Sequence, residues 1–447
     1  MRSRLPAAVL VASALFPFLA GPARGQEPGP ADLAAVVAQV RAANPDIVAA
    51  ERLAEAASDR AEAAGVLPDP RLGVGLTNAL VGDPLSSDDF MTMRMVQLGA
   101  MLPWPGKLDR AAEAASWRAA AADADREAVE RRVVAEAKRA WYELWFLDRA
   151  LEVVRGNHAL LADFVEVTEV RYGVGTGTQQ DVLRARVEAT RLGDEALDLE
   201  RRRGATLATL NALLDRPAEA PIPAPEMPER VARLATLEPG TPVRFTAAAL
   251  GDSREATGPI PALDGLQRAA ETSDPRILAR DARIAAAGAE ARLADLAAFP
   301  DFDLTVGYGQ RPGREDMVSV MVSAPLPLFK GKKQDALAEA AESEVAALAA
   351  ERAATVNRIR ADVTALRAGL VRTRERLGLL REGVIPQARA SLESAVAGYP
   401  VATVDFLTLI DNQATLFRHE LDERRLLADF GRDLAELERV IGREVIR

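Results

Sequence analysis

The chain has 447 residues, 49% hydrophobic and 27% charged, with a formal net charge of −10 and no cysteine. That apolar share supplies either a large soluble core or a membrane-facing belt, and the acidic balance argues against a nucleic-acid partner. Without thiols there is no disulfide framework, no lipid-modified N-terminal cysteine and no thiolate metal site.

Residues 1–25 have the plan of a secretory signal peptide. Arg2 and Arg4 make a basic start, residues 5–20 an apolar stretch, and Ala23-Arg24-Gly25 a small-x-small cleavage site before Gln26. Pro6 and Pro17 make that stretch a poor permanent helix. Export without cysteine suits a periplasm or an outer membrane better than a disulfide-rich extracellular module. Beyond the signal there is no run of about 18 apolar residues, so membrane residence would require a β-barrel rather than a helix.

Residues 32–66 carry apolar side chains at helical spacing and run into Leu67-Pro68-Asp69-Pro70, which predicts one helix ending in a turn. A strand follows over about residues 70–78, with Leu72, Val74 and Leu76 alternating against Gly73, Gly75 and Thr77. Gly82-Asp83-Pro84 and the serines and aspartates after it predict a polar loop over 79–89, and a second strand spans about 90–102. Pro103-Trp104-Pro105-Gly106-Lys107 then opens a long helix, expected over residues 105–171. At ~1.5 Å per residue such a helix reaches roughly 100 Å, far beyond the needs of an ordinary core. Three glycines in Tyr172-Gly173-Val174-Gly175-Thr176-Gly177 reverse the chain, and a return helix is expected over 178–214.

From residue 264 the same order returns. Asn44-Pro45-Asp46-Ile47 is echoed by Asp274-Pro275-Arg276-Ile277, and Leu67-Pro68-Asp69 by Phe299-Pro300-Asp301. Strands are expected over 302–310 and 316–325, a long helix over 332–398, a tip at Tyr399-Pro400-Val401-Ala402-Thr403 and a return helix over 404–441. The chain thus reads as two repeats, 26–215 and 264–447, joined by a connector over 216–263 rich in proline, alanine and glycine.

In the aligned strands one parity is wholly apolar: Val96, Leu98, Ala100 and Leu102 match Val318, Val320, Val322 and Ala324. The other parity is mixed. A barrel wall in lipid has that pattern; a soluble sandwich with one dry face would share it, but would not carry helices of this length. Four strands cannot close a membrane barrel and an open edge cannot sit in lipid, so a barrel here must be shared between copies.

These residues resemble the TolC-like outer membrane efflux proteins, the exit ducts of tripartite exporters in Gram-negative bacteria. The resemblance covers essentially the whole mature chain. It rests on Pro68-Asp69-Pro70, on Leu102-Pro103-Trp104-Pro105-Gly106-Lys107, on Pro325-Leu326-Pro327-Leu328-Phe329 and on the two tips, in order and doubled. It implies a mainly α, internally duplicated fold with a small β part. Each repeat holds two transmembrane strands and long coiled-coil-like helices, and three chains with four strands each form one twelve-stranded barrel, a size within the known range, continued by a periplasmic helical barrel. It further implies a homotrimer in outer membrane lipid that meets a periplasmic membrane-fusion adaptor and an inner-membrane pump. Pro-Trp-Pro-Gly-Lys looks most like the branch serving heavy-metal exporters of the resistance-nodulation-division type; drugs or secreted proteins are the alternative cargo. A periplasmic coiled-coil scaffold without a channel is the reading from another class, and the strand pairs discriminate.

The resemblance places the tips at the adaptor. The positions concerned are Tyr172, Gly173, Val174, Gly175 and Thr176, with Tyr399, Val401, Ala402 and Thr403; plain helix reversal would use the same residues. Pro400 and Ala402 stand where the first tip has glycines. Asp181 and Asp411 fall where some relatives have acidic rings at the entrance, against the competing reading of solvated helix-face aspartates. Pro103, Trp104, Pro105, Gly106 and Lys107, with Pro325 and Pro327, are the expected strand-to-helix joints. Met91, Met93, Met95, Met101, Met317 and Met321 share one strand parity; thioethers suit Cu(I), but unbranched apolar packing is the preferred reading. His158 and His419 stand singly, and Trp141, Tyr142, Trp145 and Phe146 form a packing patch. No nucleophile with a base, phosphate loop or metal-ligand cluster is present, so neither an enzyme nor a cofactor is expected.

Overall fold

Asparagine and proline set the first break in a computed structural model that describes residues 32–79, 81–82, 91–236, 260–311 and 313–444. Helix α1 (Leu33–Ala43) and helix α2 (Pro45–Ala64) meet at Asn44. The Asn44 Oδ1 accepts the Asp46 and Ile47 backbone N–H groups at 3.0 and 3.3 Å. Pro45, which has no N–H to offer, occupies the first turn, where none is needed. The single helix expected over 32–66 is therefore two. The expected signal over 1–25, most of the loop over 79–89 and residues 237–259 of the connector lie outside the described residues.

The first repeat continues with β1 (Arg71–Thr77), β2 (Met93–Leu102), α3 (Lys107–Gly173) and α4 (Gln179–Leu213). The connector contributes α5 (Glu229–Ala235), with Val231, Leu234 and Ala235 buried. The second repeat has α6 (Leu263–Ser273) and α7 (Pro275–Leu296), capped at Asp274 as α2 is at Asn44, then β3 (Phe302–Gln310) and β4 (Met317–Ser323). Its long helix departs from expectation. α8 (Gln334–Leu379) passes into a π turn at Leu380–Val384, then α9 (Ile385–Gly398), before α10 (Phe406–Ile441) returns. Pro386 lacks an N–H and its ring would meet the carbonyl four residues back. One widened turn absorbs the conflict, with the Ile385 N–H bonding to the Leu380 carbonyl.

The four strands form one antiparallel sheet in chain order. Register aligns Leu72 with Leu98, Val306 and Val320, and Val74 with Val96, Tyr308 and Val318, in rungs that run across the sheet. Leu72, Val74, Val96, Leu98, Val306, Val318, Val320 and Val322 are all exposed. The opposite face carries the glycines and methionines. A Cβ on Gly309 would stand 3.1 Å from the Met93 Sδ and 3.2 Å from the Met95 Sδ, so those thioethers fill the room the glycine leaves.

The core lies midway along the rods. Trp141 and Leu144 on α3 are fully buried against Phe430, Leu434 and Leu437 of α10, with α5 alongside. The Trp141 indole N–H donates to the Glu226 carbonyl at 3.2 Å, tying the connector to the rods. Gly431 is required there: a Cβ would lie 2.8 Å from the Tyr142 ring. Glu143 accepts from Arg425 at 2.6 Å, with Arg432 and Arg202 each at 3.1 Å. Burial pushes this carboxyl upward, but the three guanidinium groups prevail and hold it below the usual carboxylate range.

Candidate functional site

Three places carry the candidate residues: the joints at one end of the sheet, the tips at the far end of the rods, and the sheet itself. At the first joint, β2 ends at Leu102 and Pro103-Trp104-Pro105 turns the chain. Gly106 adopts φ +88 as the residue before α3, a left-handed conformation that suits glycine. The Asp301 Oδ1 accepts the Trp104 backbone N–H at 2.8 Å and the Lys107 Nζ at 2.8 Å. Lys107 also donates to the Phe299 carbonyl at 2.8 Å, and the Trp104 ring stacks on Phe299 with centroids 4.9 Å apart. Burial raises the Asp301 carboxyl, yet Lys107 and the Trp104 N–H together hold it below its ordinary range. The joint of the first repeat is thus clamped by the turn that precedes β3. Sequence reasoning aligned Phe299 and Asp301 with the first repeat but assigned them no partner; their equivalence to Leu67 and Asp69 was the available signal.

The second joint has no such clamp. Leu326, Leu328 and Phe329 are 74%, 80% and 74% exposed. A short 3-10 turn over Lys330–Lys332 then leads into α8.

At the first tip, the Thr176 and Gly177 N–H groups both donate to the Arg171 carbonyl at 2.9 Å, and Gly175 takes φ +78. The second tip repeats this conformation without glycine: Ala402, the counterpart of Gly175, takes φ +59. A Cβ in that region costs about 1–2 kcal/mol. Tyr172, Gly173, Val174, Gly175 and Thr176 are exposed, as are Val401, Ala402 and Thr403. The two tyrosines, equated by sequence, part company. Tyr172 is 50% exposed and Tyr399 only 5%, because Arg171 lies 4.4 Å over the Tyr399 ring and also donates to its carbonyl. Tyr399 therefore ties the tips together rather than presenting its ring outward. Arg171 itself was missed, since nothing in a local pattern marks a contact between repeats.

Asp181 and Asp411 are not brought together by symmetry of role. Thr178 and Asp181 form a capping box at the start of α4, the Asp181 N–H donating to the Thr178 Oγ1 at 3.2 Å and the carboxylate accepting the Thr178 N–H. The second repeat exchanges the residue types: Asp405 caps α10 and accepts the Thr408 N–H at 2.7 Å. Asp411 is exposed a turn and a half further on. Among the described residues, no group of three or more His, Asp or Glu side chains is placed to hold a metal ion, and no helix is long and apolar enough to cross a membrane.

A sheet with one exposed face apolar except for Arg94 and Gln310 at its end, and with both edges unpaired among the described residues, continued from one end by very long helices, defines a class: a segment of barrel wall carried on rods. The outer membrane efflux protein family model matches residues 36–216 and again 266–443, and the chain belongs to that family. Its fold is shared by VceC from Vibrio cholerae, at 18% identity and TM-score 0.74 over 92% of this chain and 96% of that one. CusC, described by its folding and transmembrane channel formation, matches at 14% identity and TM-score 0.74 over 92% of each chain. The open-state MtrE channel from Neisseria gonorrhoeae matches at 18% identity and TM-score 0.73 over 93% of this chain and 90% of that one. The curated proteins give no match.

Proposed function

We propose that the chain is the exit duct of a tripartite exporter. Three copies pool their four-stranded sheets into one closed barrel in the outer membrane, and the rods continue it through the periplasm. The sheet is the observation that carries this reading: its apolar face and its open edges are both intolerable unless lipid covers one and neighbouring copies pair the other. At 67 residues, α3 extends about 100 Å by its helical rise, a length suited to reaching a periplasmic adaptor that meets the exposed positions of both tips. An inner-membrane pump supplies the energy, and the duct needs no catalytic group of its own. Fractionation tests the reading: a heat-modifiable trimer in the outer membrane supports it, whereas a soluble periplasmic helical protein would make the chain a scaffold.

Heavy-metal cations are the cargo proposed, on the strength of Pro103-Trp104-Pro105-Gly106-Lys107. Threefold symmetry would turn the exposed Asp411 into an acidic ring attractive to cations; Asp181, engaged in its capping box, contributes less freely. Deleting the gene and scoring copper, silver, zinc, cobalt and a drug panel checks the cargo, and raised drug sensitivity with unchanged metal sensitivity would reject metals.

A further inference from the structure

Inside one chain, the turn before β3 clamps the joint after β2. The internal repeat contains the same two parts a second time. Leu67-Pro68-Asp69 before β1 corresponds to Phe299-Pro300-Asp301, and the joint after β4 corresponds to Pro103-Trp104-Pro105-Gly106-Lys107. Leu326 stands for Trp104, and Gly331-Lys332 for Gly106-Lys107, with Leu328-Phe329-Lys330 inserted. These second parts cannot meet within a chain, because β1 and β4 are opposite edges of the sheet. Each is left open: Asp69 and Lys332 are exposed, as are Leu67 and Leu326.

We propose that Asp69 of one copy clamps the second joint of the next. Its carboxylate accepts the Leu326 backbone N–H and the Lys332 ammonium, and Leu326 lies on Leu67, as Asp301, Trp104, Lys107 and Phe299 are arranged within one chain. The occupant is a second copy, since charge, apolar surface and strand edge all complement one another between the two ends of the same sheet. The clamp rests on the duct reading, which requires neighbouring copies to pair their edges.

The same equivalence sets a register. Carrying β2 onto β4 and β3 onto β1 turns the pair Leu98–Val306 into Val320–Val74, Ala100–Leu304 into Val322–Leu72, and Val96–Tyr308 into Val318–Leu76. All these new pairs are apolar and on the exposed face. A slip of one residue would set this face against the glycines and methionines of the other.

Because the chain has no cysteine, introduced pairs report alone. The full-length protein carrying Val74→Cys with Val320→Cys, oxidised in isolated outer membranes with copper phenanthroline, is expected to run as covalent oligomers on non-reducing gels. Leu76→Cys with Val320→Cys should link far less, because a disulfide needs Cα atoms within about 4.4–6.8 Å. Asp69→Lys is expected to lower the temperature at which the native oligomer falls to monomers, Lys332→Asp to do the same, and D69K/K332D to restore it. With an oligomeric wild-type chain as reference, preferential linking of the shifted cysteine pair, or charge variants that leave that temperature unchanged, would overturn the clamp while leaving the duct standing. A monomeric wild-type chain by native mass would overturn both.

Discussion

The middle of the rods and the sheet are built on opposite terms. Around Trp141 one chain supplies every wall of the core: α3, α5 and α10 close over it, and connector and rods share a hydrogen bond. In the sheet the described residues leave one face largely apolar and exposed and both edges unpaired. Burial within the chain stabilises the first region regardless of surroundings. In the proposed duct the second gains its burial from lipid and from further copies, a reading under which folding of the rods and completion of the barrel are separable events.

Substitutions can test that separation directly. Trp141→Ala should have the largest effect, about 3–5 kcal/mol for a large aromatic removed from a packed core, read as earlier loss of helical circular dichroism in denaturant. Val320→Lys should leave that helical transition in place but cost about 2–4 kcal/mol of barrel stability if the residue faces mid-bilayer, read as loss of the heat-modifiable oligomer. If Val320→Lys instead melts the rods, the two regions are one cooperative unit and the comparison fails.

Acid offers a third test. Glu143 and Asp301 both titrate below their ordinary values in the fold. Their contribution is present in full above the unfolded carboxylate pKa, about 4, and is lost as pH falls through the lower folded value. Denaturation followed below that point should therefore ease progressively, and Glu143→Gln should flatten the dependence for the rods while leaving that of the first joint. Smallest in effect is Ala402→Gly. Relieving the left-handed alanine should stabilise the second tip by about 1 kcal/mol, measured as slower hydrogen exchange at residues 399–404, whereas Gly175→Ala should cost a similar amount at the first.

Much of the fold was legible because it is repeated and periodic. Alternation marked which strand residues share a face, and doubled motifs marked the joints and tips. Where the reading fell short, a local pattern had a competitor. Asn44 looked like one helical residue among many until its side chain, with Pro45, capped a new helix. Pro386 was passed over in a long helical pattern that a π turn accommodates. Asp181, weighed as a ring carboxylate against a solvated helix-face aspartate, also has a local role as the cap partner of Thr178. Tyr399 was grouped with Tyr172 by alignment, yet Arg171 from the other repeat covers it.

By itself the sequence determined the duplication, the apolar parity of the strands and the joints and tips where the long rods start and reverse, because these follow from side-chain period and from the backbone limits of proline and glycine. Only the tertiary structure decided which repeat touches which. Asp301 reaching Trp104 and Lys107, and Arg171 reaching Tyr399, are contacts between residues some two hundred positions apart, and side-chain period carries no information at that range.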